Sequence, residues 1–284
     1  MADWLLDHQA SVLSTLWVGS FVLVALWETY LPRRAFATPL GSRWFNQIAL
    51  TALGSLATRV CLPVAAFSMA LLAEQHGWGL LNRVSLPFWA SCTLGILAID
   101  FANYAQHRLL HASALLWRFH RIHHSDLDVD CGTSIRHHPG EMLIVGAIDV
   151  AWIAAIGAPP LVVLIATTLA AVASVFNHAN VRLSPALDRA MRSIVVTPDM
   201  HRIHHSMAVD EGNRNFSNLL SWWDRLFGTY QRDPVAGHER MELGIAEART
   251  PSEVTLWQLL LMPLRKTSVP TDSSAAMRRP ELSP

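Results

Sequence analysis

A chain of 284 residues is long enough for one large domain or two small ones. Its composition is 51% hydrophobic and only 15% charged, whereas soluble domains carry about 25% charged residues, so the sequence favours a membrane protein. The 22 basic and 22 acidic residues cancel, and this balance gives no indication of a nucleic-acid partner.

The first two hydrophobic zones predict membrane-spanning helices. Residues 10–27 are uncharged and about long enough to cross a bilayer core. They follow Asp3 and Asp7 rather than a basic segment, so we expect a retained transmembrane helix and not a cleaved signal peptide. Residues 44–73 are interrupted only by Arg59 and are long enough for one tilted span.

The third and fourth zones frame the histidine-rich part of the chain. Residues 84–99 are apolar up to Asp100, and we expect the helix to continue beyond it. Residues 142–176 are divided by Gly-Ala-Pro-Pro at 157–160, which predicts the tip of a helical hairpin. Each arm has about 16 residues, which is short for a full crossing of the bilayer.

The basic residues predict the orientation of the chain. Arg33, Arg34 and Arg43 lie between the first two zones, which places that connection in the cytoplasm by the positive-inside rule. If the chain is followed from there, the histidines between 107 and 205 all fall on the cytoplasmic side. We therefore expect an integral membrane protein, of the inner membrane if the source is bacterial.

The chain is expected to divide into three regions. Residues 1–94 form N-terminal transmembrane helices, residues 95–230 carry the histidines and the hairpin, and residues 231–284 form a cytoplasmic C-terminal segment. Within that segment, residues 253–264 predict a short amphipathic helix on the membrane surface. Residues 266–284 have the composition of a disordered tail.

Histidine is over-represented, with 14 residues, and three groups of them have helical spacing. An HxxxH pair places two imidazoles on one helical face, and the sequence His-Arg-Ile-His-His-Ser occurs twice, at 120–125 and 201–206. Buried imidazoles packed without a metal would leave hydrogen-bonding groups unsatisfied, at a cost of about 1–3 kcal/mol each. Protonating several of them would add like-charge repulsion, whereas a bound cation removes both problems.

These groups supply too many histidines for one metal ion, and they predict two metal ions with four or more imidazoles each. The eight predicted catalytic and metal-binding residues are His107, His111, His120, His123, His124, His201, His204 and His205. His138, before the hairpin, and His178, just after it, are further candidate metal ligands. We expect His137 to be a neighbour of the site and the other three histidines to be unrelated to it.

Spacing alone does not select the metal, since imidazole binds zinc, copper, iron and nickel. The chain has no HExxH, GxSxG or GxGxxG motif, which argues against a zinc protease, a serine hydrolase or a dinucleotide-binding domain. A non-catalytic metal-binding or transport protein would need a polar path across the membrane, but Arg59 and Asp149 are the charges within the four zones. A bis-histidine haem protein would use fewer histidines.

The motifs and the apolar zones around them resemble the fatty acid hydroxylase/sterol desaturase superfamily of membrane-bound histidine-box enzymes. The similarity extends beyond the three histidine boxes at 107–111, 120–124 and 201–205. It includes the sequences WRFH at 117–120, RHHPGE at 136–141 and SWWDRLFGTY at 221–230. The resemblance covers residues 95–230, which it identifies as a fatty acid hydroxylase-like catalytic domain.

The resemblance implies an all-α membrane fold, with about four transmembrane or hairpin helices and a cytoplasmic helical cap that holds the metals. It further implies two Fe²⁺ ions (replaceable by zinc in recombinant protein), O₂, and hydroxylation or desaturation of a lipid. Since no cytochrome b5 segment is fused to the chain, we expect electrons from a separate protein. Some members have a further histidine pair after the hairpin. Here His178 has Ser174 and Arg182 four residues away on either side, which leaves one ligand position open for His138.

Charged residues beside the boxes predict the support of the ligands. Four carboxylates are expected to accept N–H hydrogen bonds from ligand imidazoles. They are Asp126, Asp130, Asp199 and Asp224. Arg121 and Arg202 occupy the same place in the two repeats, and either pair with these aspartates or face lipid phosphates. Trp222 and Trp223 are expected to pack at the membrane interface.

Overall fold

The computed structural model describes residues 2–62 and 64–267, and within these ranges the protein is all-α, with isolated backbone bridges and no β-strand. In chain order the helices are α1 (Ala2–Asp7), α2 (Gln9–Tyr30), α3 (Leu40–Cys61), α4 (Ala66–His76), α5 (Phe88–Ala112), α6 (Ala114–His124), α7 (Pro139–Ile156), α8 (Pro160–Asn177), α9 (Pro185–Met191), α10 (Pro198–His204), α11 (Val209–Gly212), α12 (Trp222–Leu226) and α13 (Leu256–Leu261). Short 3₁₀ turns lie at Leu81–Arg83, Cys131–Ile135, Pro251–Val254 and Met262–Leu264. The predicted fold class is confirmed.

Four segments of the described chain are long and apolar enough to cross a membrane. They are Gln9–Tyr30, Leu40–Arg83, Pro139–Ile156 and Pro160–Asn177. Helix α2 is apolar on all sides and leaves Leu16, Val22 and Leu23 exposed, as expected for a helix that faces lipid. The protein is therefore an integral membrane protein, as the composition predicted.

The second hydrophobic zone lies within one candidate span, Leu40–Arg83, as predicted, but its helix is interrupted. Helix α3 ends at Cys61, and Leu62 has an extended backbone with ψ 105°. Leu62 precedes Pro63, and a proline disfavours the helical conformation of the residue before it. Helix α4 begins at Ala66 and packs on α7 and α8, where Ala70 contacts the cluster that contains Ile153.

The predicted hairpin at the fourth zone is confirmed. Gly157 has φ +67° and ends α7 in the left-handed conformation that a glycine adopts without strain. Helix α8 begins at Pro160, whose fixed φ suits the first position of a helix. Gly95 allows α5 to approach this hairpin closely, because a Cβ there would lie 2.7 Å from Val162 Cγ1.

Helix α5 continues through Asp100 as predicted and carries the first histidines near its C-terminal end. Asp100 is buried, and its carboxylate accepts hydrogen bonds from Trp223 Nε1 at 2.8 Å and Leu220 N at 3.2 Å. The C-terminal ends of α5 and α8 and the N-terminal end of α7 lie at the same end of the bundle, against α6 and α10. This arrangement brings histidines from separate helices to one place.

The segment after residue 240 packs into the protein rather than lying only on a membrane surface. Leu259 and Met262 are buried in a core with Leu50 of α3 and Ile122 of α6. The helix in this stretch is shorter than predicted, at Leu256–Leu261, and one of its faces is covered by protein whereas Trp257 is exposed. The predicted disordered tail falls almost entirely on residues 268–284, which lie outside the described residues.

Candidate metal centre

Five histidines converge in a first cluster at the ends of α5, α6 and α10. Each offers one ring nitrogen, and these nitrogens all lie within 4.8 Å of one another. The five residues are His107, His111, His120, His124 and His204. The Nε2 atoms face inward: His107 Nε2 lies 3.1 Å from His120 Nε2 and 2.9 Å from His204 Nε2.

Four further histidines form a second cluster beside the first, again with ring nitrogens within 4.8 Å of one another. The four residues are His123, His178, His201 and His205. His178 Nε2 lies 3.1 Å from the Nε2 atoms of both His123 and His201. Eight of the nine clustered histidines are buried, and His107 is half-buried.

The two HRIHHS repeats contribute to the clusters in a reciprocal way. In α6, His120 and His124 join the first cluster and His123 joins the second. In the repeat on α10, His201 and His205 join the second cluster, whereas His204 joins the first. Residues at i and i+4 share a helical face, and the residue at i+3 leans to the other side of that face. One repeated motif therefore divides its imidazoles between two neighbouring sites.

Local sequence signals position both repeats. Helix α6 follows Ser113, whose side chain accepts a hydrogen bond from Leu116 N, and α10 follows Thr197, which accepts one from Met200 N. Serine and threonine are favoured N-caps because they satisfy free N–H groups of the first helical turn. Pro198 then occupies the first helical position of α10.

The outward nitrogens of several clustered histidines are fixed by protein oxygens. The Nδ1 atoms of His107 and His204 each lie 2.8 Å from a backbone carbonyl oxygen, of Phe216 and Arg214 respectively. His178 Nδ1 lies 2.7 Å from the Ser174 carbonyl oxygen. A ring that donates from Nδ1 keeps the lone pair on Nε2, which points into the cluster. This is the usual support of a metal-binding histidine.

The donor set fits divalent metal ions that take imidazole ligands. Burial first, and then the neighbouring histidines, hold the pKa of five imidazoles outside the membrane helices well below the usual 6.5, so these rings are neutral. They are His123, His124, His201, His204 and His205. Both ring nitrogens of His205 are buried without a hydrogen-bond partner in the described chain. Unfilled lone pairs of this kind are what a metal ion would occupy.

The structure does not bring His138 into either cluster. Its Nδ1 accepts a hydrogen bond from Gly140 N at 2.9 Å and caps α7, and its Nε2 lies 3.2 Å from the carbonyl oxygen of Leu260. His138 therefore has no free nitrogen for a metal ion in this arrangement. His137 lies beside the second cluster, with its ring stacked on that of His123 at 4.8 Å. His178, by contrast, lies within the second cluster as predicted from its place after the hairpin.

The four aspartates do not accept hydrogen bonds from the clustered histidines, so that prediction was wrong. Asp126 and Asp130 are held by Arg43 of α3 at 2.9 Å, and Asp199 pairs with Arg33 at 3.2 Å. Each of these three carboxylates forms an ion pair with a buried or half-buried guanidinium and not a hydrogen bond with an imidazole.

Asp224 acts one step away from the first cluster. It accepts hydrogen bonds from Phe216 N at 2.8 Å and Ser217 N at 3.0 Å, and so fixes the backbone whose carbonyl oxygen faces His107.

Within the described residues, the carboxylate that contacts a clustered histidine directly is Glu141, which was not predicted. Glu141 Oε1 lies 2.7 Å from His120 Nδ1. The available signal was its place at the end of the sequence RHHPGE, in the first turn of α7.

The arginines of the two repeats are both buried and face protein rather than lipid phosphates. Arg121 donates to the carbonyl oxygens of Met262 at 2.6 Å and Arg265 at 2.9 Å, which fastens the C-terminal segment to α6. Arg202 pairs with Asp199 and donates to the carbonyl oxygen of Ala179 at 3.0 Å. The predicted pairing with an aspartate is therefore confirmed for Arg202 but not for Arg121.

Comparison with known proteins places this centre in a family. The sequence model of the fatty acid hydroxylase family matches residues 92–229. The chain is similar to an ornithine lipid hydroxylase of Rhizobium tropici, with 29% identity over 78% of this chain and 67% of the relative. It is also similar to the alkylglycerol monooxygenases of Homo sapiens and Danio rerio, each 29% identical.

The coverage differs between these relatives. The human and zebrafish matches span 58% and 57% of this chain, but only 37% and 36% of the relatives' own lengths. No solved structure matches the chain. The matched residues contain all three histidine boxes, His178 and Glu141, and this shared segment is where the histidine clusters are built. Residues 92–229 are thus a fatty acid hydroxylase domain.

Proposed function

We propose that the protein is a membrane-bound di-iron oxygenase that hydroxylates a polar lipid, using O₂ and electrons from a separate donor protein. The observation that carries this proposal is the division of nine buried or half-buried histidines into clusters of five and four ring nitrogens. A single metal ion would leave one of these clusters without a cation.

The residues of each cluster suit the binding of one divalent ion. His107, His111, His120, His124 and His204 would hold the first, and His123, His178, His201 and His205 would hold the second. As Fe²⁺, such a pair would supply the electrons that O₂ needs to oxidise an unactivated C–H bond. The protein buries these imidazoles with their ring nitrogens facing one another, and the burial keeps bulk water out.

The relatives favour hydroxylation over desaturation and a lipid over a soluble substrate. Their names describe hydroxylation of ornithine lipids and monooxygenation of alkylglycerols. The apolar helices support the same conclusion, because a hydrocarbon chain can approach the site without leaving the bilayer. We propose that the site lies at the cytoplasmic boundary and acts near the polar head group.

The experiment is a lipid analysis of cells that express the protein, grown under O₂ enriched in a heavy oxygen isotope. The proposal expects lipids that carry one additional heavy oxygen atom, and no such lipids in cells that express His204→Ala. If labelled lipids are absent although the protein binds two iron ions, the non-catalytic metal-binding alternative replaces the oxygenase. If the lipids lose two hydrogen atoms without gaining oxygen, the enzyme is a desaturase.

A further inference from the structure

Glu141 lies beside the first histidine cluster, in the first turn of α7. It is 2% exposed, and its Oε1 atom lies 2.7 Å from Nδ1 of His120, a member of the first cluster. Within the described residues, Glu141 is the carboxylate that hydrogen-bonds to a clustered histidine. Its second oxygen, Oε2, is buried and has no hydrogen-bond partner in that part of the chain.

His137 connects the same carboxylate to the second cluster. Its Nδ1 atom lies 3.1 Å from Glu141 Oε1, and its Nε2 atom lies 3.2 Å from the carbonyl oxygen of Ser134. With both ring nitrogens held, the His137 ring has one orientation. Its face lies against the ring of His123 at 4.8 Å between centroids and 8° between planes. His123 belongs to the second cluster.

Packing alone does not explain a buried carboxylate at this position. A carboxylate loses its hydration on burial, and an oxygen without a partner recovers none of it. Imidazole ligands carry no negative charge, so the nine clustered histidines do not offset the positive charge of bound cations. A carboxylate one hydrogen bond from a metal-binding imidazole makes that imidazole a better electron donor and fixes its orientation. The position of Glu141 therefore suits a charge that complements bound cations.

We propose that Glu141 and His137 form a positioning pair that holds one ligand of each metal: His120 directly, through a hydrogen bond, and His123 through the stacked ring. This inference rests on the proposed two-metal centre. The pair makes the orientation of a first-cluster ligand and that of a second-cluster ligand depend on one carboxylate. A change at Glu141 therefore reaches both clusters, whereas loss of a ligand empties only one of them.

The test uses the full-length protein in detergent, loaded with cobalt(II), whose visible absorption reports its ligands. Bands are assigned to the clusters with His204→Ala and His123→Ala. Glu141→Gln keeps the side-chain volume and removes the charge, and it should weaken cobalt binding by about 10- to 100-fold and shift the bands. Glu141→Asp, which keeps the charge, should recover part of the affinity. Glu239→Gln, at an exposed carboxylate paired with Arg182, is the matched control and should bind as wild type does.

Two variants of His137 test the stacked ring independently of the carboxylate. His137→Phe keeps a ring against His123 and should leave the second-cluster bands close to those of wild type. His137→Ala removes the ring and should shift them. If Glu141→Gln fails to fold, identical spectra for the Phe and Ala variants would overturn the proposal by themselves.

The outcomes separate this inference from the proposed function. Wild-type protein that binds two cobalt ions, together with a Glu141→Gln variant of unchanged affinity and spectrum, overturns the positioning pair and leaves the metal centre standing. Wild-type protein that binds fewer than two cobalt ions overturns the two-metal centre and the inference with it.

Discussion

The two histidine clusters differ in how the protein holds their outward-facing nitrogens. In the first cluster, His107, His120 and His204 each place Nδ1 within 2.8 Å of a protein oxygen. In the second cluster, His178 is held in this way, whereas Nδ1 of His123, His201 and His205 is buried without a partner in the described chain. The clusters are thus unequal in their support as well as in their number of ligands.

This difference has an energetic consequence. Each buried, unsatisfied polar group costs about 1–3 kcal/mol, so the second cluster is the more strained of the two in the metal-free protein. The geometry of the first cluster is set largely by hydrogen bonds that exist without a metal ion. The second cluster depends more on the metal to orient its rings, and the predictions below test that contrast.

The largest effect on activity is expected when either of two adjacent histidines from different clusters is substituted. His204→Ala removes a first-cluster ligand, and His205→Ala removes a second-cluster ligand. Because the proposed chemistry needs both metals, lipid hydroxylation should fall by at least about 100-fold in each variant, measured by mass spectrometry of product lipids. His138→Ala is the control, since His138 lies outside both clusters. Activity retained in either ligand variant would contradict the two-cluster account.

Stepwise chelation should remove the two metals in order. The second cluster has four ligands and fewer hydrogen bonds behind them, so its metal should leave at a chelator concentration about 10- to 100-fold lower than that needed for the first. Metal remaining per chain, measured against chelator concentration, checks this order. The His205→Ala variant should show only the later stage. Loss of both metals in one step would contradict the proposed difference in metal affinity between the two clusters.

The metal-free protein should lose stability in acid. Burial depresses the pKa of five clustered imidazoles below the 6.5 of the unfolded chain, so the unfolded state binds more protons as the pH falls below that value. The stability is fully present above pH 6.5 and is lost on acidification. The melting temperature should fall by at least about 5 °C between about pH 7.5 and 5.5.

The exposed His76 provides the control for this acid effect, since His76→Ala should give the same slope as the unmodified chain. A melting temperature that does not change over this range would contradict the neutral, buried state of the imidazoles.

The smallest effect is expected at Asp224, which acts on the first cluster through the backbone. Asp224→Asn keeps the size of the side chain but weakens its hold on the N–H groups of residues 216 and 217. The affinity of the first metal should fall by about tenfold at most, and that of the second should not change. A metal titration followed by cobalt absorption distinguishes the two sites. An equal loss at both would show that Asp224 stabilises the whole fold.

Sequence reasoning predicted which histidines converge, because their spacing determines which helical faces they share. The i, i+3, i+4 pattern of the repeats predicts shared helical faces, and the hairpin prediction correctly placed His178 beside them. The same reasoning failed for His138, which has the right residue type and the right location but caps a helix with its Nδ1.

The groups that hydrogen-bond to the clustered histidines could not be predicted from the sequence, for a physical reason. Phe216 and Arg214 act through backbone carbonyl oxygens, which every residue has, so no residue type marks them. The aspartates were assigned to histidines because their partner arginines, Arg43 and Arg33, lie far away in the sequence. The end of α3 at Cys61 could have been predicted from the sequence, because a proline at position 63 disfavours the helical conformation of the residue before it.

The most direct test of the central claim is the metal content of protein purified in detergent from iron-supplemented cells, with His123→Ala and His204→Ala as comparisons. The two clusters predict two metal ions per chain in the unsubstituted protein, rich in iron. They also predict a clear reduction in each variant, since the two substitutions affect different clusters. One metal ion or none per chain, unchanged by either substitution, would contradict the two-metal centre.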